Sequence, residues 1–322
     1  GSMRLCCVGN ALVDVAAEVP AGFPGSLGLK PGSTEHVPRE AVEKTVSRVD
    51  ARRLSAGGGA ANSARAYAAL GGQASFFGVV SDDDWATAFR HGLSLAGVEP
   101  ELRIADGGTG LFVALFEPDA AKTIIVNPGS SLSAHAGELP SYFFADGSAL
   151  YLNGFTAQAP GFIDGIAARA AEGDAPLAFD VAGKRLAASE RTSFLKLIRE
   201  RCAWTFMNED EYVALAEDEV ESSLRSFSKD NKGLIVVKRA EAGAVCVRDG
   251  ELYESPVRSL RGVDTTGSGD AFAAGFLAGV FSGASLPRCL RLANWTAEHA
   301  IQLGPTKLRR DCLKQGLLSL VS

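Results

Sequence analysis

The amino-acid sequence predicts a doubly wound α/β domain with a mostly parallel sheet and a small β-rich lid. Three observations carry this prediction. From about residue 147 onward, short apolar runs alternate with longer amphipathic stretches, the rhythm of strands joined by crossover helices. Earlier that rhythm is interrupted at about residues 14–52 and 104–127, by segments too structured for linkers and too broken for core, which suit a lid over a site. Near residue 264 a run of small residues leads directly into a helix pattern. With 322 residues, 46% of them hydrophobic, the chain has room for one large α/β domain or two small ones, and a single domain over residues 3–322 is expected.

In chain order, Arg4 to Val8 is an apolar strand candidate, and Gly9 to Asp14 carry the chain out of it. Asn10 and Asp14 then stand just past the carboxyl end of a parallel strand, where α/β proteins bind ligands, and are candidate hydroxyl binders. A turn asparagine and a solvated aspartate would look the same. Prolines and glycines punctuate residues 15–50 and leave short elements, with one helix over Arg39 to Val49. Ala56 to Asn62 include three consecutive glycines and open an alanine-rich helix that ends at Leu70, with Gly71 and Gly72 as its C-cap. Ser75 to Val80 reads as a strand and Trp85 to Ala96 as a helix. The acidic triplet Asp82, Asp83, Asp84 is assigned to that helix's dipole rather than to a metal. Residues 107–126 alternate as a hairpin about Glu117, Pro118 and Asp119.

The alternating part then runs as strand Ala149 to Leu152, helix 160–172, strand Leu177 to Asp180, helix 189–201, strand Trp204 to Met207, helix 210–227 and strand Leu234 to Val237. An antiparallel hairpin, Ala244 to Arg248 and Glu251 to Ser255, turns about Asp249 and Gly250. Leu286 to Leu303 is an amphipathic helix carrying Asn294.

Composition excludes several classes. A net charge of −6 without long runs gives no footprint for nucleic acid and no polybasic membrane patch, so phosphorylated ligands need a local site. The six cysteines, Cys6, Cys7, Cys202, Cys246, Cys289 and Cys312, form no CxxC pair and are expected as buried free thiols in a reducing compartment. Cys6 and Cys7, adjacent on a strand, should point to opposite faces. Gly1 and Ser2 read as a tag remnant before Met3; with neither a signal peptide nor an 18-residue apolar span, a cytoplasmic location is expected. Asn294, Trp295, Thr296 is read as a chance sequon. There is no GxxxxGK[ST], no GxGxxG after a strand, no HExxH and no GxSxG.

The chemistry concentrates in Asp264 to Asp270. Two glycines flank a serine at a helix start, so backbone N–H groups of Gly267, Ser268 and Gly269 should face outward as an anion site. An aspartate there would compete with a bound phosphate unless it has a task. Asp270 could take the proton from an attacking hydroxyl while those N–H groups stabilise a transferring phosphoryl group. A Gly-rich turn with a dipole-favoured aspartate fits the spacing equally.

The same seven residues resemble the C-terminal signature of the ribokinase-like, or PfkB-type, family of sugar and nucleoside kinases. Ala56 to Asn62 resemble its N-terminal signature. The resemblance implies Asp270 as catalytic base, Gly267, Ser268 and Gly269 as anion hole, and Gly58, Gly59 and Asn62 in the substrate site. Asn208 and Glu211 match the family's Asn-x-x-Glu motif, which acts on Mg²⁺ and phosphates, although a helix capping box is the alternative for the pair. Val236 to Ala244 look like its nucleotide strand and loop, with Lys238 and Gly243. Two departures stand there: Lys238 where many members carry threonine, and Ala240 for a usual glycine. Asn294 matches a position near the nucleotide.

The resemblance implies a ribokinase-like fold and an ATP- and Mg²⁺-dependent phosphotransferase, with a monovalent cation such as K⁺ as a further requirement to test. The start of the chain and its long cap look more like the adenosine-kinase-like branch, so a nucleoside is preferred over a free sugar as acceptor. A sugar-phosphate kinase, with Lys30, Arg39 or Arg103 as phosphate ligands, and a regulator that keeps the fold without the chemistry are the alternatives. Family lids often pair through edge strands, so a monomer and a homodimer are both open.

Overall fold

The computed structural model describes residues 3–51, 53–239, 243–255 and 267–299. Asp264 to Thr266, Ala240 to Ala242, Cys312 and the end of the last helix beyond residue 299 lie outside the described residues. Two sheets organise the rest. The large one contains β1 (Arg4–Val8), β5 (Ala74–Val80), β6 (Val98–Ile104), β9 (Ser148–Asn153), β10 (Leu177–Asp180), β11 (Cys202–Asn208), β12 (Leu234–Lys238), β13 (Ala244–Arg248) and β14 (Glu251–Ser255). Its order is β14-β13-β12-β11-β10-β9-β1-β5-β6, parallel except for β13, which pairs antiparallel with β12 and β14. The β13–β14 turn has positive φ at Asp249 and Gly250, as a tight hairpin with right-handed strand twist requires.

Helices cover both faces. α3 (Gly59–Ala69), α4 (Asp84–Leu95), α10 (Ser268–Phe281) and α11 (286–299) share one core with Leu5 and Cys7 of β1. α5 (Phe162–Glu172), α6 (Lys184–Ser189), α7 (Arg191–Glu200), α8 (Glu209–Ala216) and α9 (Val220–Lys229) share the other with Cys6 and Val8. The period of two thus separates Cys6 from Cys7, as expected, and the five described cysteines are buried and free. Thr296, the third residue of the sequon, is fully buried. No helix among the described residues is long and apolar enough to cross a membrane.

The small sheet has the order β3-β8-β7-β2-β4, from β2 (Leu12–Glu18), β3 (Thr34–His36), β4 (Arg53–Gly57), β7 (Thr109–Phe116) and β8 (Thr123–Gly129). Val13, Val15 and Ala17 of β2 face the core shared with α4, and with Val42 of α2 (Arg39–Ser47), while a single turn, α1 (Phe23–Ser26), precedes β3. The opposite face carries Leu12, Ala114, Ile124 and Val126, with Phe112 beside them.

Four parts of the chain depart from expectation. β2 begins at Leu12, inside the expected loop, and β4 has no counterpart among the expected elements. Arg53–Gly57 contains Ser, Ala and Gly, which have little strand preference, and its pairing with β2 decides its state. β6 holds Pro100 in an edge strand, where a missing N–H is tolerated. The expected helix 210–227 is two, because Glu217 adopts φ 56° and ends α8 without a Gly or Pro signal.

Candidate active site

The chain leaves β1 toward β5 on one side of the large sheet and returns to β9 on the other side of β1. Such a reversal opens a crevice beyond the carboxyl ends of the strands. Asn10 follows β1, and Asn153, Asp180, Asn208 and Lys238 close β9, β10, β11 and β12. The N-termini of α3 and α10 come to the same edge.

Asp270 stands in the first turn of α10, whose N-cap is Gly267 at φ 83° with no side-chain cap. Among the described residues no acceptor meets the N–H groups of Ser268 and Gly269 at this helix start. α3 fixes the aspartate. Asn62 Nδ2 donates to its Oδ2 at 3.3 Å, and Ser63 Oγ donates to its main-chain oxygen at 2.9 Å. The triple glycine is needed for this approach. Gly58 has φ 88°, and a Cβ there would lie 2.4 Å from the Asn10 carbonyl oxygen. A Cβ on Gly59 would stand 2.9 Å from Asp270 Oδ1.

Burial raises the Asp270 carboxyl from 3.8 to about 7, Asp180 and Asp14 push the same way, and the Asn62 hydrogen bond and Lys238 oppose them. A carboxylate with a pKa near neutrality is matched to general base work. Asp14, on β2, lies against Gly57, where a Cβ would meet its Oδ1 at 2.0 Å. Burial lifts it to about 7 against the charge of Arg65. Arg65 Nη1 donates to the Ala56 carbonyl at 2.7 Å, and its Nε is buried without a partner among the described residues. Asn10 is engaged otherwise, since its amide donates to Gln158 at 2.9 Å.

Asn208 and Glu211 form the capping box of α8: the asparagine Oδ1 accepts from the Glu211 N–H at 2.8 Å, and Glu211 Oε1 accepts from the Asn208 N–H at 3.0 Å. Glu211 is buried, and burial and Asp180 raise its carboxyl. Lys238 is half-buried and its ammonium reaches Gly269, so it does not lie in solvent. Gly243 has φ 93°, and its carbonyl accepts from the Arg239 N–H, whose guanidinium pairs with Glu209 and Glu221. Asn294 is half-buried on α11. In the acidic triplet, Asp83 caps α4 through the Ala86 N–H and also accepts from Thr109.

Sequence reasoning missed Asp180 and Asn153, both buried at strand ends. Asp180 accepts from Tyr151 Oη at 3.3 Å and from the Ala182 N–H at 3.2 Å, and burial raises its carboxyl against the pull of Lys238. The rule that singled out Asn10 would have found both.

The pfkB family of carbohydrate kinases matches residues 29–307. The chain belongs to this family. It is 32% identical over 248 residues to an ATP-dependent ribose-1-phosphate kinase of Halopiger xanaduensis, covering 76% of this chain and 80% of that one. It is 26% identical over 328 residues to an adenosine kinase of Saccharomyces cerevisiae, covering 94% and 96%. A solved adenosine kinase from Sinorhizobium meliloti superposes with a TM-score of 0.85 at 28% identity, over 98% of this chain and 100% of that one. This pfkB kinase therefore has the ribokinase-like fold of the adenosine-kinase-like branch, and is a phosphotransferase.

Proposed function

We propose that the enzyme transfers the γ-phosphoryl group of ATP to a primary hydroxyl of a nucleoside, adenosine-like in shape. The observation that carries this reading is Asp270, half-buried, with its carboxylate held by Asn62 and its main-chain oxygen by Ser63, beside the N–H groups at the start of α10. Asp270 takes the acceptor's proton, Gly267, Ser268 and Gly269 form the anion hole, Asn208, Gly243 and Asn294 serve the nucleotide, and Lys238 faces its terminal phosphate. Asp14, Gly58, Gly59 and Asn62 serve the acceptor, with Asn10 shaping the turn through its carbonyl.

Among the described residues no three His, Cys, Asp or Glu side chains cluster to hold a metal. Mg²⁺ fits this donor set nonetheless, since it is commonly held by one or two carboxylates, waters and substrate phosphates. Glu211 would hold it, through water, and the bound ion would neutralise phosphate charge. A K⁺ requirement is tested by exchanging the monovalent salt.

The preference for a nucleoside rests on the small sheet. Asp14 is in register with Phe112, and on that face Leu12, Ala114, Ile124 and Val126 offer an apolar seat for a base beside a carboxylate for hydroxyls. We assign this sheet, with segments 14–52 and 104–127, as the lid whose closure excludes water. The likeness to a ribose-1-phosphate kinase favours a second reading, a sugar phosphate. Two of its three expected ligands are committed elsewhere, Arg39 to Glu43 and the Thr109 carbonyl, Arg103 to Glu101 and the Phe77 ring, which leaves Lys30 for a phosphate. Turnover of adenosine, other nucleosides, ribose, fructose and ribose 1-phosphate with ATP tests the proposal. Activity confined to sugars or sugar phosphates would remove the nucleoside.

A further inference from the structure

Lys238 closes β12, yet its ammonium does not stay with that strand. Its Nζ lies 2.7 Å from the point a Cβ on Gly269 would occupy, and 5.7 Å from the centre of the Phe272 ring. The side chain therefore crosses to the first turn of α10, the positive end of that helix, where a cation is disfavoured. Among the described residues it has no ion-pair partner and no hydrogen-bond acceptor. Three carboxylates feel its charge at longer range: buried Asp180 on β10, buried Glu211 on α8 and half-buried Asp270 on α10. Of these, Asp180 is fixed by Tyr151 and Ala182 and attracts the ammonium at that range. Gly269 keeps the lane open, because any side chain there would run into Nζ. A cation parked between a positive helix end and carboxylates that do not touch it is placed for an anion that arrives and leaves.

Resting on the kinase reading above, we propose that Lys238 is a catalytic residue, whose ammonium meets the phosphoryl group in transfer and serves the transfer step more than nucleotide binding. In that step the acceptor oxygen forms a bond to the γ-phosphorus and gives its proton to Asp270. The bond from that phosphorus to the β–γ bridging oxygen breaks, and its electron pair leaves with ADP. Negative charge grows on the bridging oxygen and stays on the oxygens of the moving group. A compact ammonium beside the Gly269 N–H neutralises it there, as a point charge needing no fixed geometry.

The test compares wild type, Lys238→Met, Lys238→Arg and Asp270→Asn. Each is measured for turnover across the acceptor panel, for MgADP affinity, and for MgADP affinity with aluminium fluoride, which imitates the phosphoryl group in transfer. Wild type should bind MgADP at least about tenfold more tightly with aluminium fluoride. Lys238→Met should bind MgADP alone within about twofold of wild type, lose that gain, and drop in kcat by about 10²- to 10³-fold, the loss typical of one anion-hole donor. Lys238→Arg should recover part of both. If Lys238→Met keeps kcat and the aluminium fluoride gain while Asp270→Asn is inactive, the kinase reading stands and this proposal is overturned. The same holds if the methionine variant loses only MgADP affinity. If Asp270→Asn turns over normally, or no acceptor on the panel is phosphorylated by wild type, the reading fails and the proposal with it.

Discussion

Gly59→Ala probes the placement of the base with a single methyl group. The new Cβ would stand 2.9 Å from Asp270 Oδ1 and 2.7 Å from Asn153 Nδ2. Carbon meets its neighbours comfortably at about 3.5 Å, so the carboxylate must retreat by roughly half an ångström or more. Asn153 yields less readily, since it is 2% exposed and its Oδ1 accepts from the Phe155 N–H at 3.0 Å. Asp270 can turn only by weakening its bond from Asn62. A reacting group misplaced on the ångström scale costs about 10²-fold, and the smaller shift here should lower kcat by roughly 10- to 100-fold. Stability should change by less than about 2 kcal/mol, because overpacking is offset by the entropy that alanine removes from the unfolded chain. Steady-state kinetics and a melting curve separate the two effects. In an Asp270→Asn background the kinetic penalty should vanish, because both changes act on one interaction. As a control, Gly137→Ala, with open space around its Cβ position, should leave kcat unchanged. Wild-type kcat in Gly59→Ala would refute the assignment of the α3 glycine as the base's neighbour.

Other perturbations read the charges. The Asp270 carboxyl rises from 3.8 to about 7 on folding, so the folded chain holds a proton between about pH 4 and 7 that the unfolded chain releases. This group's contribution to stability is full below pH 4 and lost as pH rises through 7. Asp270→Asn should therefore melt with wild type near pH 4 and several degrees above it at pH 8; a gap that does not change with pH would contradict the buried charge. Turnover should rise with pH through about 7, and Asp180→Asn should move that limb to lower pH by removing the charge that lifts Asp270. Arg65→Met should push the Asp14 carboxyl further above 7, raising the KM for the acceptor at neutral pH with kcat nearly intact, while Arg65→Lys restores it. An unmoved KM in the methionine variant would show that Asp14 binds no substrate hydroxyl.

What the sequence revealed of this site depended on where the constraint lies along the chain. Gly58, Gly59, Gly267 and Asp270 are legible because backbone geometry demands particular residues at contiguous positions. Ser63 and Arg65 acquire their roles only when separate strand ends and helices meet, and no local spacing marks them, whereas Asp180 and Asn153 are marked only by their place at the ends of β10 and β9. The large sheet was legible from Leu177–Asp180, Cys202–Asn208 and Leu234–Lys238, whose apolar runs reflect burial on both faces. β2 and β4 were not, since alanine, serine and glycine dilute the alternation and pairing supplies what propensity lacks. The capping box at Asn208 and Glu211 shows a further limit: one pair of residues satisfies a helix end and stands at a strand terminus facing the crevice, and the pattern alone could not separate the two roles.

The central claim is that the carboxylate at the start of α10 removes the acceptor's proton. The most direct measurement is kcat of Asp270→Asn with its acceptor and ATP, beside equilibrium binding of each ligand. The account predicts binding within about twofold of wild type and a kcat lower by about 10²- to 10⁴-fold. A kcat within a fewfold of wild type would contradict it.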